Sequence, residues 1–305
     1  MKTLQKLYNE LYPNQIDFGK RIVQALEDHT TVIAFAHTQC GKTGSMLAAI
    51  HLSNIPLERI FLITGLSSID WIVQTKKRIP IKNIFHRNTL HLFMKVVKQV
   101  NDPIILIDEC HIASKRGQII YQITNSVSAK YILVSATPDW KRLKPLPFGT
   151  AIRVMKDPVD YVSVNYFAEN NQLFQCKNIS NDPDAIENIE EIIPFLKDPA
   201  YHIIRTPRNE LHELTIQNFK MVFPSYTMLS MPNLNILNTK PSVHTFIFIK
   251  DTLRCAVTIP KPYIGVLYER FTNVPNQASI IQGLLGRATG FESHHIVIFS
   301  YPQLI

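Results

Sequence analysis

The run Ala36-His37-Thr38-Gln39-Cys40-Gly41-Lys42-Thr43 has the residue types and order of a phosphate-binding loop. It follows a β-branched stretch and opens a helical one, which is the context such a loop requires. Backbone N–H groups at a helix start point toward anionic oxygens, and the helix dipole favours negative charge there. Gly41 would let the backbone approach a phosphate. Lys42 would reach the β- and γ-phosphates, and the Thr43 hydroxyl would hold Mg2+. Ala36, Thr38 and Cys40 would border the nucleotide; Ala36 stands where the general loop pattern has glycine. A second group, Asp108-Glu109-Cys110-His111, follows the apolar run Ile104 to Ile107. Two carboxylates at the end of a strand suit metal-assisted hydrolysis: Asp108 would contact Mg2+ through water, and Glu109 would orient the attacking water. Ser135-Ala136-Thr137-Pro138 closes a third apolar run and brings hydroxyls.

Each group has a plainer reading. A bare Gly-Lys-Thr recurs by chance, and Asp is a favoured helix cap. What favours chemistry is their common placement. Residues 31–35, 60–63, 104–107 and 131–134 read as buried strands, with helical patterns over roughly 43–54, 68–78, 89–100 and 116–126. Such alternation implies βαβ units and a parallel sheet covered on both faces. Ligands bind beyond the carboxyl ends of such strands, where all three groups fall. The pattern breaks between Asp139 and Pro158, read as a linker, and the boundary is set at 150/151. The second half reads as helix 184–196, strand 201–204, helix 208–219, strand 221–227, strand 243–249, strand 263–267, helix 275–286 and strand 295–299, with 230–241 loop-like.

Taken in order, these groups resemble the motifs of a superfamily 2 helicase of the Asp-Glu-x-His type. Ala36 to Thr43 is similar to motif I, Asp108 to His111 to motif II and Ser135 to Thr137 to motif III. Leu11-Tyr12-Pro13-Asn14-Gln15 resembles the segment whose glutamine reads adenine, which assigns that role to Gln15. Thr64-Gly65-Leu66-Ser67-Ser68, with Trp71 and Gln74, occupies the place of motif Ia on the strand-contacting face. Gln282 to Gly290 resembles motif VI, with one extra residue before Gly286 and with Gly290 where the last arginine belongs. Arg287 is then the arginine finger and Gln282 its partner in the motif. Arg254, near the place of motif V, is a second candidate, and Tyr201 to Pro207, with Arg205, stands for motif IV. The Gly-Leu-Leu-Gly-Arg-x-x-Gly ending is similar to helicases of large DNA viruses and phages. The resemblance implies an α/β fold of two tandem RecA-like domains, residues 1–150 and 151–305, with ATP and Mg2+ in the cleft between them. It makes Lys42, Glu109, His111, Gln282 and Arg287 catalytic, His111 coupling the ATP site to motif III. The activity implied is ATP-dependent movement along, or unwinding of, DNA or RNA, with DNA slightly favoured. A duplex translocase that does not unwind, as in restriction motors, and a weakly catalytic nucleic-acid-binding module are the alternatives.

Trp71 with Lys76, Lys77 and Arg78 could form a stacking and phosphate-binding surface for a strand. The alternative is a core tryptophan on an amphipathic helix with a solvated basic face. His294-His295, and His86 with His91, lack further ligands at metal-binding spacing. Cys40 and Cys110 are expected to be sensitive to thiol reagents. Four widely spaced cysteines point to a reducing, intracellular compartment. At 46% hydrophobic and 18% charged, the chain can bury a core. No apolar run reaches ~18 residues, so no membrane span is expected, and the N-terminus lacks a secretory apolar core. The net charge of +8 is uneven: residues 1–150 hold 19 Lys+Arg against 10 Asp+Glu, and residues 151–305 hold 13 against 14. A polyanionic partner or a solvated basic surface explains this equally. Little chain follows the last strand, so a protein partner, or loops such as 228–241, would supply specificity.

Overall fold

The computed structural model describes residues 3–136, 149–250 and 259–304. Two compact units divide at Val159/Asp160.

The first unit runs α1 (Leu4–Tyr8), α2 (Pro13–Asp28), β1 (Thr31–Phe35), α3 (Lys42–Leu52), β2 (Ile60–Thr64), α4 (Ile69–Arg78), β3 (Ile84–Phe85), α5 (Leu90–Val97), β4 (Ile104–Asp108), α6 (Ile119–Ser126), β5 (Lys130–Ser135) and β6 (Thr150–Val154). The strands form one sheet in the order β3-β2-β4-β5-β1-β6, and every pairing is parallel. Strands buried on both faces read as near-continuous apolar runs; β2 (Ile-Phe-Leu-Ile-Thr) and β4 (Ile-Ile-Leu-Ile-Asp) are buried at every residue and polar only at the last. β6 was expected to be linker. It pairs with β1 instead, which moves the end of the first unit nine residues past the expected boundary of 150.

The second unit contains α7 (Val164–Glu169), β7 (Leu173–Gln175), α8 (Ala185–Glu190), β8 (Tyr201–Arg205), α9 (Glu210–Val222), β9 (Thr227–Ser230), β10 (Thr245–Ile249), β11 (Ile264–Tyr268), α10 (Gln277–Ile281), α11 (Leu284–Ala288) and β12 (Val297–Ser300). Its parallel sheet has the order β7-β12-β11-β8-β10-β9. Three expectations fail here. The helix expected over 184–196 stops at Glu190, and a 3-10 turn with Pro194 follows. The strand expected over 221–227 starts only at Thr227, because α9 runs on through Val222 and Pro224 cannot donate to a ladder. The helix expected over 275–286 is two short ones, broken at Gln282-Gly283. Among the described residues no helix is long and apolar enough to cross a membrane.

Candidate functional site

In the first unit, β1, β4 and β5 are neighbours and run the same way, so residues 36–43, 108–111 and 135 emerge at one edge of the sheet. Ala36 fastens the base of the loop: its N–H donates to the Ser135 carbonyl at 3.1 Å, and it is buried, as is Thr38. Gly41 caps α3 with φ 108°, a conformation that side chains disfavour. A Cβ there would lie 2.4 Å from the Gln15 amide nitrogen. Gln39 adopts φ 59° despite its side chain. The Lys42 ammonium lies over the loop and donates to the His37 carbonyl at 3.2 Å and the Ala36 carbonyl at 3.5 Å. Thr43, half-buried, stands in the first turn of α3.

Gln15 braces this loop. Its amide oxygen accepts from the Tyr12 N–H at 3.0 Å, capping α2, and its Nε2 donates to the Gly41 carbonyl at 3.4 Å. The amide expected to read adenine thus spends its oxygen on the start of α2 and its Nε2 on the loop. His37 extends the frame, its Nδ1 lying 2.8 and 3.0 Å from the carboxylate oxygens of Asp157.

Asp108 ends β4. Its Oδ1 accepts from the Glu109 N–H at 3.0 Å, and its Oδ2 from the Trp71 indole Nε1–H at 2.7 Å. Burial and the neighbouring Glu109 carboxylate push Asp108 up to about 6, against the opposing effects of the indole bond and the Lys42 charge. Glu109 follows with φ 51°, and its carboxylate lies 3.7 Å from His111 Nδ1. The same Nδ1 lies 3.0 Å from Ser135 Oγ. A buried chain of Glu109, His111 and Ser135 thus joins the ends of β4 and β5. Thr43 and Asp108 both offer oxygen, the donor type Mg2+ takes, and this ion is ordinarily held by one or two protein groups together with phosphates and waters. Among the described residues no cluster of His, Cys, Asp or Glu could hold a metal by itself. The donor set therefore fits Mg2+ arriving with a phosphate.

Several expectations change. Trp71 is buried and hydrogen-bonded to Asp108, so it offers no stacking face to a strand. Thr64 is fully buried, and Gly65 is pressed against Ile112, where an added Cβ would lie 2.4 Å from the Ile112 carbonyl oxygen. Neither can reach a strand. Lys76, Lys77 and Arg78 are exposed in the last turn of α4. Cys40 and Cys110 are buried rather than presented to solvent. Burial pushes the Cys40 thiol up to about 11 and the Cys110 thiol beyond the range in which a thiolate forms in neutral solution. Cys40 Sγ donates to the His37 carbonyl and faces Met155 Sδ at 3.6 Å.

In the second unit, Arg205 ends β8 inside the protein. Its Nη1 donates to both oxygens of Glu269 at 2.8 and 3.0 Å, and it is 5% exposed. A strand-contacting role does not fit this buried pair. Glu269 also accepts from the Leu284 N–H at 3.3 Å, which fixes the start of α11. Arg287 and Gln282 are buried, and Arg287 Nη2 donates to the Gln282 carbonyl at 3.4 Å. Lys261 was not foreseen: buried beside Arg287, it donates to the Thr289 and Phe291 carbonyls. Burial and the Arg287 charge lower it to about 8. Gly290 has φ 107°, and its N–H and carbonyl pair with Val162 at 2.9 and 2.8 Å. The glycine found where the last arginine was expected is a backbone requirement. Arg254 and Thr137-Pro138 lie outside the described residues. Nothing in the spacing of Glu269 or Lys261 marks them, and Trp71 was marked for a different role, because each acts through a fold contact.

Two parallel sheets of this construction define a pair of RecA-like α/β domains. A solved structure of S. cerevisiae Dbp5 bound to RNA and ADP BeF3 shares the fold, with a TM-score of 0.56 and 15% identity over 99% of this chain and 89% of that one. In sequence, an uncharacterised protein of Acanthamoeba polyphaga mimivirus is 28% identical, over 94% of this chain and 84% of that protein. No protein-family model matches the chain.

Proposed function

We propose that the chain is an ATP-dependent nucleic-acid motor of the superfamily 2 helicase type, coupling ATP hydrolysis to movement along, or unwinding of, DNA or RNA. One observation carries this reading: Lys42, Asp108, Glu109, His111 and Ser135 stand at one edge of a parallel sheet, joined by the contacts above. The neighbour's RNA and ADP BeF3 are compatible with it. The loop from Ala36 to Gly41 and the first turn of α3 would bind the triphosphate through backbone N–H groups. Lys42 would exchange its bonds to the Ala36 and His37 carbonyls for phosphate oxygens. Thr43 and Asp108 would hold Mg2+, which when bound neutralises charge on the phosphates. Glu109 would orient a water for attack on the γ-phosphate and take its proton. His111, between Glu109 and Ser135, would pass the state of that carboxylate to the end of β5. Arg287, with Gln282 in the same segment, would supply a cation from the second unit to the transferring phosphoryl group. Lys76, Lys77 and Arg78 would contact the phosphate backbone of a strand. Gly290 has a backbone reason to be glycine, but the segment still has no second arginine, so a weakly catalytic nucleic-acid-binding module is the alternative that turnover measurements decide. ATP turnover titrated with single- and double-stranded DNA and RNA tests the proposal. Stimulation by at least one polymer is expected, and turnover absent under every condition contradicts it.

A further inference from the structure

The indole of Trp71 is 2% exposed and spends its one N–H donor on Asp108 Oδ2, at 2.7 Å. The path that brings it there is short and fixed. Thr64 and Asp108 are register partners on adjacent strands. The chain leaves β2 at Thr64, whose hydroxyl accepts from the Leu66 N–H at 3.3 Å, and the Leu66 carbonyl accepts from the Arg87 N–H at 2.9 Å. Ser68 then caps α4 by accepting from the Trp71 N–H at 3.2 Å. Cap, loop and strand register therefore set the indole beside the carboxylate. The other carboxylate oxygen takes the Glu109 N–H at 3.0 Å. With one donor on each oxygen the carboxylate plane cannot rotate freely, yet each oxygen keeps a lone pair for a further ligand. That is how partners behind a metal-binding carboxylate orient it, and their loss typically weakens metal affinity by about 10–100-fold.

We propose that Trp71 is a positioning residue for metal binding: its indole N–H holds Asp108 in the orientation in which the carboxylate takes Mg2+. This rests on the reading of Asp108 given under Proposed function. A tryptophan there only to fill the core would serve as well without its N–H. The test replaces Trp71 by benzothienylalanine, which has the shape of tryptophan but no N–H, in the full-length chain carrying Trp140→Phe so that a single site is labelled. The readout is binding of a fluorescent ATP analogue, first in EDTA and then across a Mg2+ titration. Trp140→Phe with native Trp71, and the same chain with Asp108→Asn, are the references. The expected result is unchanged affinity in EDTA and a Mg2+ requirement raised about ten-fold by the isostere, with Asp108→Asn at least as impaired. An isostere with the same Mg2+ requirement as its parent overturns the positioning role while leaving the nucleotide site intact. A parent whose nucleotide binding ignores both Mg2+ and Asp108→Asn overturns this inference and the reading beneath it together. Trp71→Phe, also lacking the donor, should reproduce the isostere's Mg2+ dependence whatever its thermal stability.

Discussion

Asp108 is surrounded by opposing influences: burial and Glu109 favour its neutral form, while the Trp71 indole and the Lys42 charge favour the carboxylate. Burial dominates at two thiols of the same unit, Cys40 in the loop and Cys110 two residues past Asp108. Cys40 is pushed up to about 11 and Cys110 further, so thiolate is scarce at both near neutral pH. Iodoacetamide at pH 8, followed by peptide mass mapping, should leave Cys40 and Cys110 unlabelled in the folded chain and label them in urea. Fast labelling of the folded chain at either position would contradict their burial. Gly290 makes a different single-residue claim. With φ 107° and both backbone groups paired to Val162, Gly290→Ala should cost about 1–2 kcal/mol in denaturant unfolding. An unchanged midpoint would mean that the left-handed conformation is not needed. The loop from Ala36 to Thr43 and the pair Asp108-Glu109 were legible in the sequence because their chemistry is carried by adjacent residues. The partners of Asp108 and Arg205 were not, because Trp71 and Glu269 lie 37 and 64 residues away and meet them only through the sheet. The same limit turned Trp71, Thr64, Gly65 and Arg205 into strand contacts on the strength of position alone.

Among the elements, the central parallel strands were the easiest to read, since burial on both faces leaves a short, near-continuous apolar run. Thr31–Phe35, Ile60–Thr64 and Ile104–Asp108 answer to that pattern, whereas Tyr201–Arg205 does so only around Ile203-Ile204, with His202 and Arg205 buried beside them. Edge strands were not legible: β3 has two residues, and β6 alternates with exposed Ile152 and Val154. The apolar run at 221–223 misled for the opposite reason, as the buried face of α9 continues into it. A buried histidine pair in the second sheet has a measurable consequence. His202 Nδ1 accepts from the Val266 N–H at 3.1 Å, so its proton sits on Nε2 and is donated to His244 Nδ1 at 3.0 Å. Burial and the neighbouring His244 lower His202 from 6.5 to about 3. A depressed pKa stabilises the fold above the unfolded value, and that stability is lost as pH falls toward the folded one. Hydrogen exchange of β8 and β10 amides should therefore accelerate as pH falls from about 6.5 toward 3, after correction for intrinsic rates. A His202→Gln variant should flatten that slope; an identical slope would place the acid sensitivity elsewhere.

For the whole molecule, the division at 159/160 sharpens the charge asymmetry. Residues 1–159 hold 21 Lys+Arg against 11 Asp+Glu, and residues 160–305 hold 11 against 13. The basic excess thus lies wholly in the unit that carries the phosphate-type loop. Lys42 is committed to that loop, whereas Lys76, Lys77 and Arg78 stand exposed at the end of α4. If they hold a strand, replacing all three by glutamine should weaken single-strand binding and flatten the slope of log affinity against log salt by about 2–3. Unchanged affinity would make them a solvated face. The central claim is that Glu109 activates water for ATP hydrolysis driven by a nucleic-acid strand. Its most direct test compares the native chain with Glu109→Gln for ATP binding and for turnover with and without nucleic acid. The account predicts ATP affinity within about two-fold of native and loss of the strand-stimulated turnover, on the order of 100-fold or more. Stimulated hydrolysis that survives Glu109→Gln would contradict it.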